Sequence, residues 1–252
     1  MLGALAFAVA ISFSPALAMV GGSAPADPEL ARHVVLIVGS RGNSCTGVAI
    51  ARDLVLTAAH CVLAGAEYKR VEFDAERRPA LKDVAAVLRH PMFDLDTLLG
   101  HRATADVALV KLAEPLPPAY APAAIAVADK PVAAGERFLV AGFGVAVRGD
   151  GRTGGTLRAA TLIATGRPGT LQIRLVDPAA KGERAGLGAC TGDSGAPVFA
   201  RRDGALAVIG LVSWTTGPRL SAGCGGLTGV TPLVRYRAWI AETAARMGSA
   251  LP

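Results

Sequence analysis

Charge is scarce in this chain: 18% of its 252 residues are Asp, Glu, Lys or Arg, against 52% that are hydrophobic. Disordered chains show the opposite balance, so this one has enough apolar surface, and enough length, for one large β domain or two small ones with a real core. Aromatic residues are few, at 5%, and unbranched helix formers are too sparse to sustain a coiled coil. Glycine (30) and proline (16) are plentiful but follow no period, which excludes a collagen-like chain. There is no internal repeat and no low-complexity tract. The net charge of +6 comes without a run of five Lys or Arg and without interleaved aromatics, so the footprint of a nucleic-acid binder is missing and the basic residues read as a solvated surface. No apolar stretch reaches the roughly 20 residues of a membrane-spanning helix. Residues 2–13 are apolar, but Pro15 and then Gly21-Gly22 break the run. No stable membrane span is expected.

What is present starts at that N-terminus. An uncharged apolar run followed by Pro15 and Ala16-Leu17-Ala18 reads as a signal-peptide core with an A-x-A cleavage site. Residues 1–18 are therefore expected to be removed and the protein exported, to a periplasm or to the medium. Four cysteines, Cys45, Cys61, Cys190 and Cys224, form an even set that suits two disulfides in an oxidising compartment, with three possible pairings. Zinc is the competing use of the same residues, but no C-x-x-C spacing occurs and the histidines do not cluster with the cysteines.

Short β-rich runs recur at 34–38, 46–50, 54–56, 84–88, 107–112 and 138–143, and again at 157–163, 171–176, 197–199, 207–212 and 229–230, separated by Gly, Pro, Asp or Arg turns. That spacing predicts antiparallel all-β barrels or sandwiches. The Pro- and Ala-rich stretch 114–135 divides the strands into two comparable halves and reads as the connection between them. Leu233, Tyr236, Ile240 and Met247 share one helical face, with Arg235, Glu242 and Arg246 opposite, which predicts a surface helix over 233–247.

The chemistry is concentrated in three segments. An apolar strand ends in Thr57-Ala58-Ala59 and delivers His60 beside Cys61. Asp106 stands at the mouth of a strongly apolar strand, where a carboxylate is buried, whereas its neighbours Asp94 and Asp96 lie in the loop after His90-Pro91 and read as solvated. Gly192-Asp193-Ser194-Gly195 is a turn that presents a serine with no bulky neighbour. A serine hydroxyl is a poor nucleophile at neutral pH and needs a base within hydrogen-bond reach and a third group that orients the base. His60, Asp106 and Ser194 supply those types. His33, His90 and His101 lack such context and read as turn or surface residues.

T-A-A-H-C at 57–61, D-V-A-L-V-K-L at 106–112, G-D-S-G at 192–195, Ser213-Trp214 and Trp239-Ile240, together with Met19-Val20-Gly21-Gly22, resemble the motifs of the chymotrypsin/trypsin-like serine proteases in the same order. The likeness runs over essentially the whole chain after residue 18. It implies two packed antiparallel six-stranded β-barrels with a C-terminal α-helix: a domain over 19–252, with barrels at about 19–120 and 121–232. It implies catalysis by His60, Asp106 and Ser194, an oxyanion hole from the N–H groups of Gly192 and Ser194, and an ion pair between Asp193 and the α-amino group of Met19. It pairs Cys45 with Cys61 and Cys190 with Cys224.

The likeness also assigns the substrate-binding residues. Gly188 falls at the pocket base with Ala189 beside it, and neither carries the carboxylate that holds Arg or Lys. Ser213-Trp214-Thr215 pairs with the substrate backbone, Thr215 narrows the entrance and Gly229 on the opposite wall leaves depth. Small or medium apolar P1 residues are expected. Thr231 stands where the family has a tyrosine, and the link to Tyr236 is one residue short, so rearranged pocket loops stay open.

The expected protein is thus a monomeric exported endopeptidase that acts on a peptide or protein, accepts a proteinaceous inhibitor, and uses no metal or cofactor. A catalytically silent relative serving as a binding module is the alternative, although such relatives usually lose a triad residue. An α/β-hydrolase is disfavoured because no G-x-S-x-G surrounds Ser194. Arg148-Gly149-Asp150 reads as a Gly-rich loop. The stretch 67–83 reads as a loop too poor in acids to cage Ca²⁺.

Overall fold

The computed structural model describes residues 19–252 apart from Ala75, His101, 128–130, 167–170 and Asp203. The segment 1–18, expected to be a signal peptide, and His101 lie outside the described residues. In chain order the strands are β1 (Ala24–Pro25), β2 (Val34–Gly39), β3 (Ser44–Ala51), β4 (Leu54–Thr57), β5 (Tyr68–Phe73), β6 (Pro79–Arg89), β7 (Ala108–Leu112), β8 (Ala124–Ile125), β9 (Arg137–Gly142), β10 (Arg158–Ala164), β11 (Ile173–Val176), β12 (Pro197–Arg202), β13 (Ala205–Thr215) and β14 (Thr228–Pro232). Three helices punctuate them: α1 (Pro28–Ala31), α2 (Leu95–Leu99) and α3 (Arg237–Arg246).

Strands β2, β3, β4, β7, β6 and β5 close one antiparallel barrel. A second ring runs β9-β10-β11-β14-β13-β12 and returns to β9, with β1 and β8 added outside it. Burial explains the two sequence textures. Strands β2 and β4 are apolar at nearly every position because one face lines the barrel and the other faces the second barrel. β10 alternates buried and half-buried residues because only one of its faces is covered.

Two elements depart from the sequence reading. The stretch 67–83 is not a loop: β5 and β6 pair from Lys69–Asp83 to Phe73–Pro79 as a hairpin. Its charged residues hid it, because Arg70 is turned into the barrel and pairs there with Glu72. The stretch counted with the first barrel from residue 19 onward instead joins the second, where β1 pairs with β10. Among its described residues the connection between barrels is irregular except for β8, and it is pinned by the N–H of Ala123 donating to the Ala49 carbonyl at 2.8 Å. The C-terminal helix opens with a 3-10 turn over Leu233–Tyr236 before α3, and Ile240 and Ala244 bury its inner face in the core shared by both barrels. No helix among the described residues is long and apolar enough to cross a membrane.

Candidate active site

β4 ends at Thr57, and small residues carry the chain into the 3-10 turn Ala59–Val62, which holds His60 at the seam between the barrels. Nδ1 of His60 lies 2.8 Å from Oδ2 of Asp106, and the backbone N–H of His60 donates to Oδ1 at 3.0 Å. Asp106 is fully buried just before β7, and the Ser213 hydroxyl donates to its Oδ2 at 2.5 Å. A buried carboxylate needs donors, and here it has three. Because an ionised carboxylate only accepts, Nδ1 must carry the ring proton, which leaves Nε2 of the neutral ring with a free lone pair. Asp94 and Asp96 are exposed, and Asp94 is used as the N-cap of α2.

Ser194 is half-buried in the turn that enters β12, its carbonyl accepting the N–H of Thr46 at 2.8 Å. The Cys45–Cys61 disulfide, with Cα atoms 6.0 Å apart, ties the turn that carries His60 to β3. Cys61 Sγ is 3.9 Å from His60 Nε2 and 3.6 Å from the Ser194 carbonyl oxygen. Cys45, His60 and Cys61 also form the one tight group of metal-ligand types among the described residues. Both sulfurs are spent in the disulfide, so the group offers a metal no thiolate.

The Ser194 turn depends on two glycines. Gly192 has φ +94°, and a Cβ there would lie 2.9 Å from the Gly144 Cα; Gly195 has φ +78°, and a Cβ would lie 2.3 Å from the Thr46 carbonyl oxygen. The N–H groups of Gly192 and Ser194 donate to nothing among the described residues. Asp193, fully buried between them, accepts from the N–H of Gly144 at 2.8 Å and of Cys190 at 2.9 Å. Burial pushes its carboxyl up to about 7, against the pull of those two donors. No cation meets it among the described residues. Met19 is buried in the core that also holds Ala189 and Ala196, and Val20 bridges to Gly188.

Gly188 and Ala189, expected at the base of the P1 cleft, are both buried. Thr215 Oγ1 donates to the Ala189 carbonyl at 2.9 Å, and Thr228 Oγ1 accepts the Ala189 N–H at 3.1 Å. The two threonines are cross-strand partners of β13 and β14. Gly229 lies elsewhere than expected: it pairs with Trp214, and a Cβ on it would be 2.0 Å from the indole. Thr228, one residue earlier, takes the place facing Thr215. Asp177, a buried acid beside Gly186, is occupied by the N–H groups of Ala179 and Leu187. The Cys190–Cys224 disulfide, Cα atoms 5.1 Å apart, ties this cleft to the loop after β13. Arg148 ties the same loop down by donating to the Ala222 carbonyl at 2.8 Å, so its tripeptide serves as a clasp between loops.

Sequence reasoning missed Thr46. Its hydroxyl donates to the Gly192 carbonyl at 2.9 Å and accepts the Phe143 N–H at 3.0 Å, so a first-barrel residue fixes the turn of the second. Nothing local marks it, because its partners lie about a hundred residues or more away in the chain. The hydroxyl of Ser213 on Asp106 was missed as well, although its backbone was expected to meet substrate.

A family model described as Trypsin matches residues 19–240. The chain is 25% identical over 230 residues to the snake venom serine protease rhinocerase 4 of Bitis rhinoceros, covering 88% of this chain and 86% of that protein. It is 27% identical over 214 residues to serine protease 1 of Canis lupus familiaris, covering 80% of each. Against kallikrein-4 of Homo sapiens it is 29% identical over 213 residues, 79% of this chain and 77% of that one.

Proposed function

The chain belongs to the trypsin family of serine proteases, and from that premise we propose that it is an exported endopeptidase working through an acyl-enzyme. Ser194 Oγ attacks the scissile carbonyl while Nε2 of His60 takes its proton, the nitrogen left free by the hold of Asp106 on Nδ1. Asp106 keeps the ring in that tautomer and stabilises the imidazolium that forms. The protonated ring then gives its proton to the departing amine. Water repeats the sequence in reverse on the ester and frees the acid.

The negative oxygen of each tetrahedral intermediate is met by the N–H groups of Gly192 and Ser194. The support for this role is that both are unused donors in a turn where one of them is buried, and preorganised donors aimed at developing charge supply a large share of such catalysis. Asp193 holds that turn from beneath. Once the bond before Met19 is cut, the new α-ammonium supplies the cation that this buried carboxylate lacks.

Specificity follows from the two threonines. Thr215 and Thr228 approach from opposite strands and bind both backbone groups of Ala189, so a P1 side chain accepted there is small and apolar, and no carboxylate among the described residues is placed to hold Arg or Lys. The observation that carries the proposal is the His60–Asp106 contact at 2.8 Å. Fluorogenic peptides differing only at P1 test it: Ala or Val should be cleaved at least about tenfold faster than Arg, and Thr215→Gly with Thr228→Gly should move the optimum to larger residues. Preference for Arg in the unmodified enzyme would show that the cleft is read wrongly.

A further inference from the structure

Arg174 is the charged residue at this site with no role so far. It sits on β11 in register with Gly229 of β14, which is in register with Trp214 of β13. Residues directly opposite one another in antiparallel strands share a face, so Arg174, Gly229 and Trp214 form one outward row. Ile173 and Leu175, its neighbours, turn inward to the barrel core. Gly229 has no side chain to separate the two ends of the row. The indole therefore lies down on the backbone of β14, and the Arg174 guanidinium carbon comes to 5.7 Å from its ring centre. Among the described residues Arg174 Nε is buried with no hydrogen-bond partner, and no carboxylate pairs with its guanidinium. A half-buried guanidinium stacked on an aromatic ring but lacking an anion is a cation held ready for one.

The substrate supplies the fourth strand of the row. The edge of Ser213–Thr215 that faces away from β14 is unpaired among the described residues, and it is there that the endopeptidase reading, on which this inference rests, lays the peptide. P1 enters the cleft under Thr215. By the two-residue alternation of a strand, P2 and P4 then fall on the face of Trp214, while P3 and P5 do not. Three strand spacings, roughly 14 Å, separate the substrate backbone from that of Arg174, a span that two long side chains reaching across the flat indole can close. We propose that Arg174 selects an acidic side chain at P2 or P4, so that the substrates are polypeptides with Asp or Glu one or three residues before a small apolar P1.

A peptide series with alanine at P1 and a single glutamate moved from P2 to P5 reads this out as kcat/KM against glutamine at the same position. The glutamate should raise turnover by about threefold to tenfold at P2 or P4 and leave P3 and P5 near unity. In Arg174→Gln the ratio should fall to about one, in Arg174→Glu it should invert and favour lysine, and in Arg174→Lys it should partly survive. The inactive Ser194→Ala form should bind the preferred glutamate peptide more tightly than its glutamine twin, and less so as salt rises. Cleavage of all peptides without regard to glutamate, or a preference that persists in Arg174→Gln, overturns the role of Arg174 and leaves the endopeptidase reading standing. Absence of cleavage throughout the series overturns both.

Discussion

A histidine ring with one nitrogen fixed on a buried carboxylate has only its other nitrogen for chemistry, and in this chain that nitrogen lies 3.9 Å from Cys61 Sγ, which is itself 3.6 Å from the Ser194 carbonyl oxygen. The settings of His60, Asp106 and Ser194 were legible from short motifs because the constraints that position them are local: small residues before the histidine, an apolar strand after the aspartate, glycines around the serine. Asp106→Asn should leave the fold intact and lower kcat by about 10⁴-fold, because the amide can present its N–H₂ to Nδ1 and favour the wrong tautomer. Steady-state kinetics on a P1-alanine peptide measures it. Thr46 and Thr228 were not legible, since a threonine in a strand looks the same whether its hydroxyl is idle or crosses to another barrel. Thr46→Val removes the donor to the Gly192 carbonyl and the acceptor of the Phe143 N–H. It should cost about 1–3 kcal/mol in denaturant unfolding and lower kcat with KM little changed, because the turn that carries Gly192 loses its anchor.

Among the elements, eleven runs of β-rich sequence found their strands, while β5 was hidden by Lys69, Arg70 and Glu72. A strand is recognised by polar residues facing out, and β5 points Arg70 inward against Glu72, so its alternation is inverted. Loop-to-loop ties were equally invisible. Arg148 reaches from the loop after β9 to the Ala222 carbonyl, beside the disulfide that joins Cys190 to Cys224. Arg148→Ala should raise KM several-fold with a smaller change in kcat, since the loop bordering the cleft loses a tie while the catalytic groups keep theirs. Arg148→Lys should recover part of the loss. Equal falls in kcat and kcat/KM with KM unchanged would show that the clasp acts on the turn at Ser194 instead.

For the molecule as a whole, the two barrels were foreseen in number and kind, but not that the stretch from Met19 crosses to the second one, because a two-residue strand carries no periodic signal. That crossing puts Met19 in the core cluster that also holds Ala189 and Ala196, the residues flanking the Asp193 turn. In the chain with residues still attached before Met19, the Asp193 carboxyl is held at about 7 against an ordinary 3.8. The folded state then binds this proton more tightly than the unfolded state. Its stabilisation is complete below about pH 4 and drains away as pH rises toward 7, by up to about 1.4 kcal/mol per pH unit. A form with an uncleavable extension before Met19 should therefore lose stability over that window and show little activity at neutral pH. The form beginning at Met19 should resist the loss, because its ammonium favours the ionised carboxylate, and should lose activity only as alkaline pH deprotonates the amine. Urea titrations at several pH values on both forms decide this, and identical profiles would show that Met19 does not reach Asp193.

The central claim, that Ser194 is a nucleophile activated by His60, is met most directly by labelling. An aryl phosphonate carrying a P1-alanine-like group should lose its aryloxy leaving group to Ser194 Oγ. Intact-mass and peptide analysis should then find one adduct per chain, on Ser194, absent from His60→Ala with both disulfides intact. An unlabelled wild-type protein that begins at Met19, or an adduct that forms equally well without His60, would contradict the account.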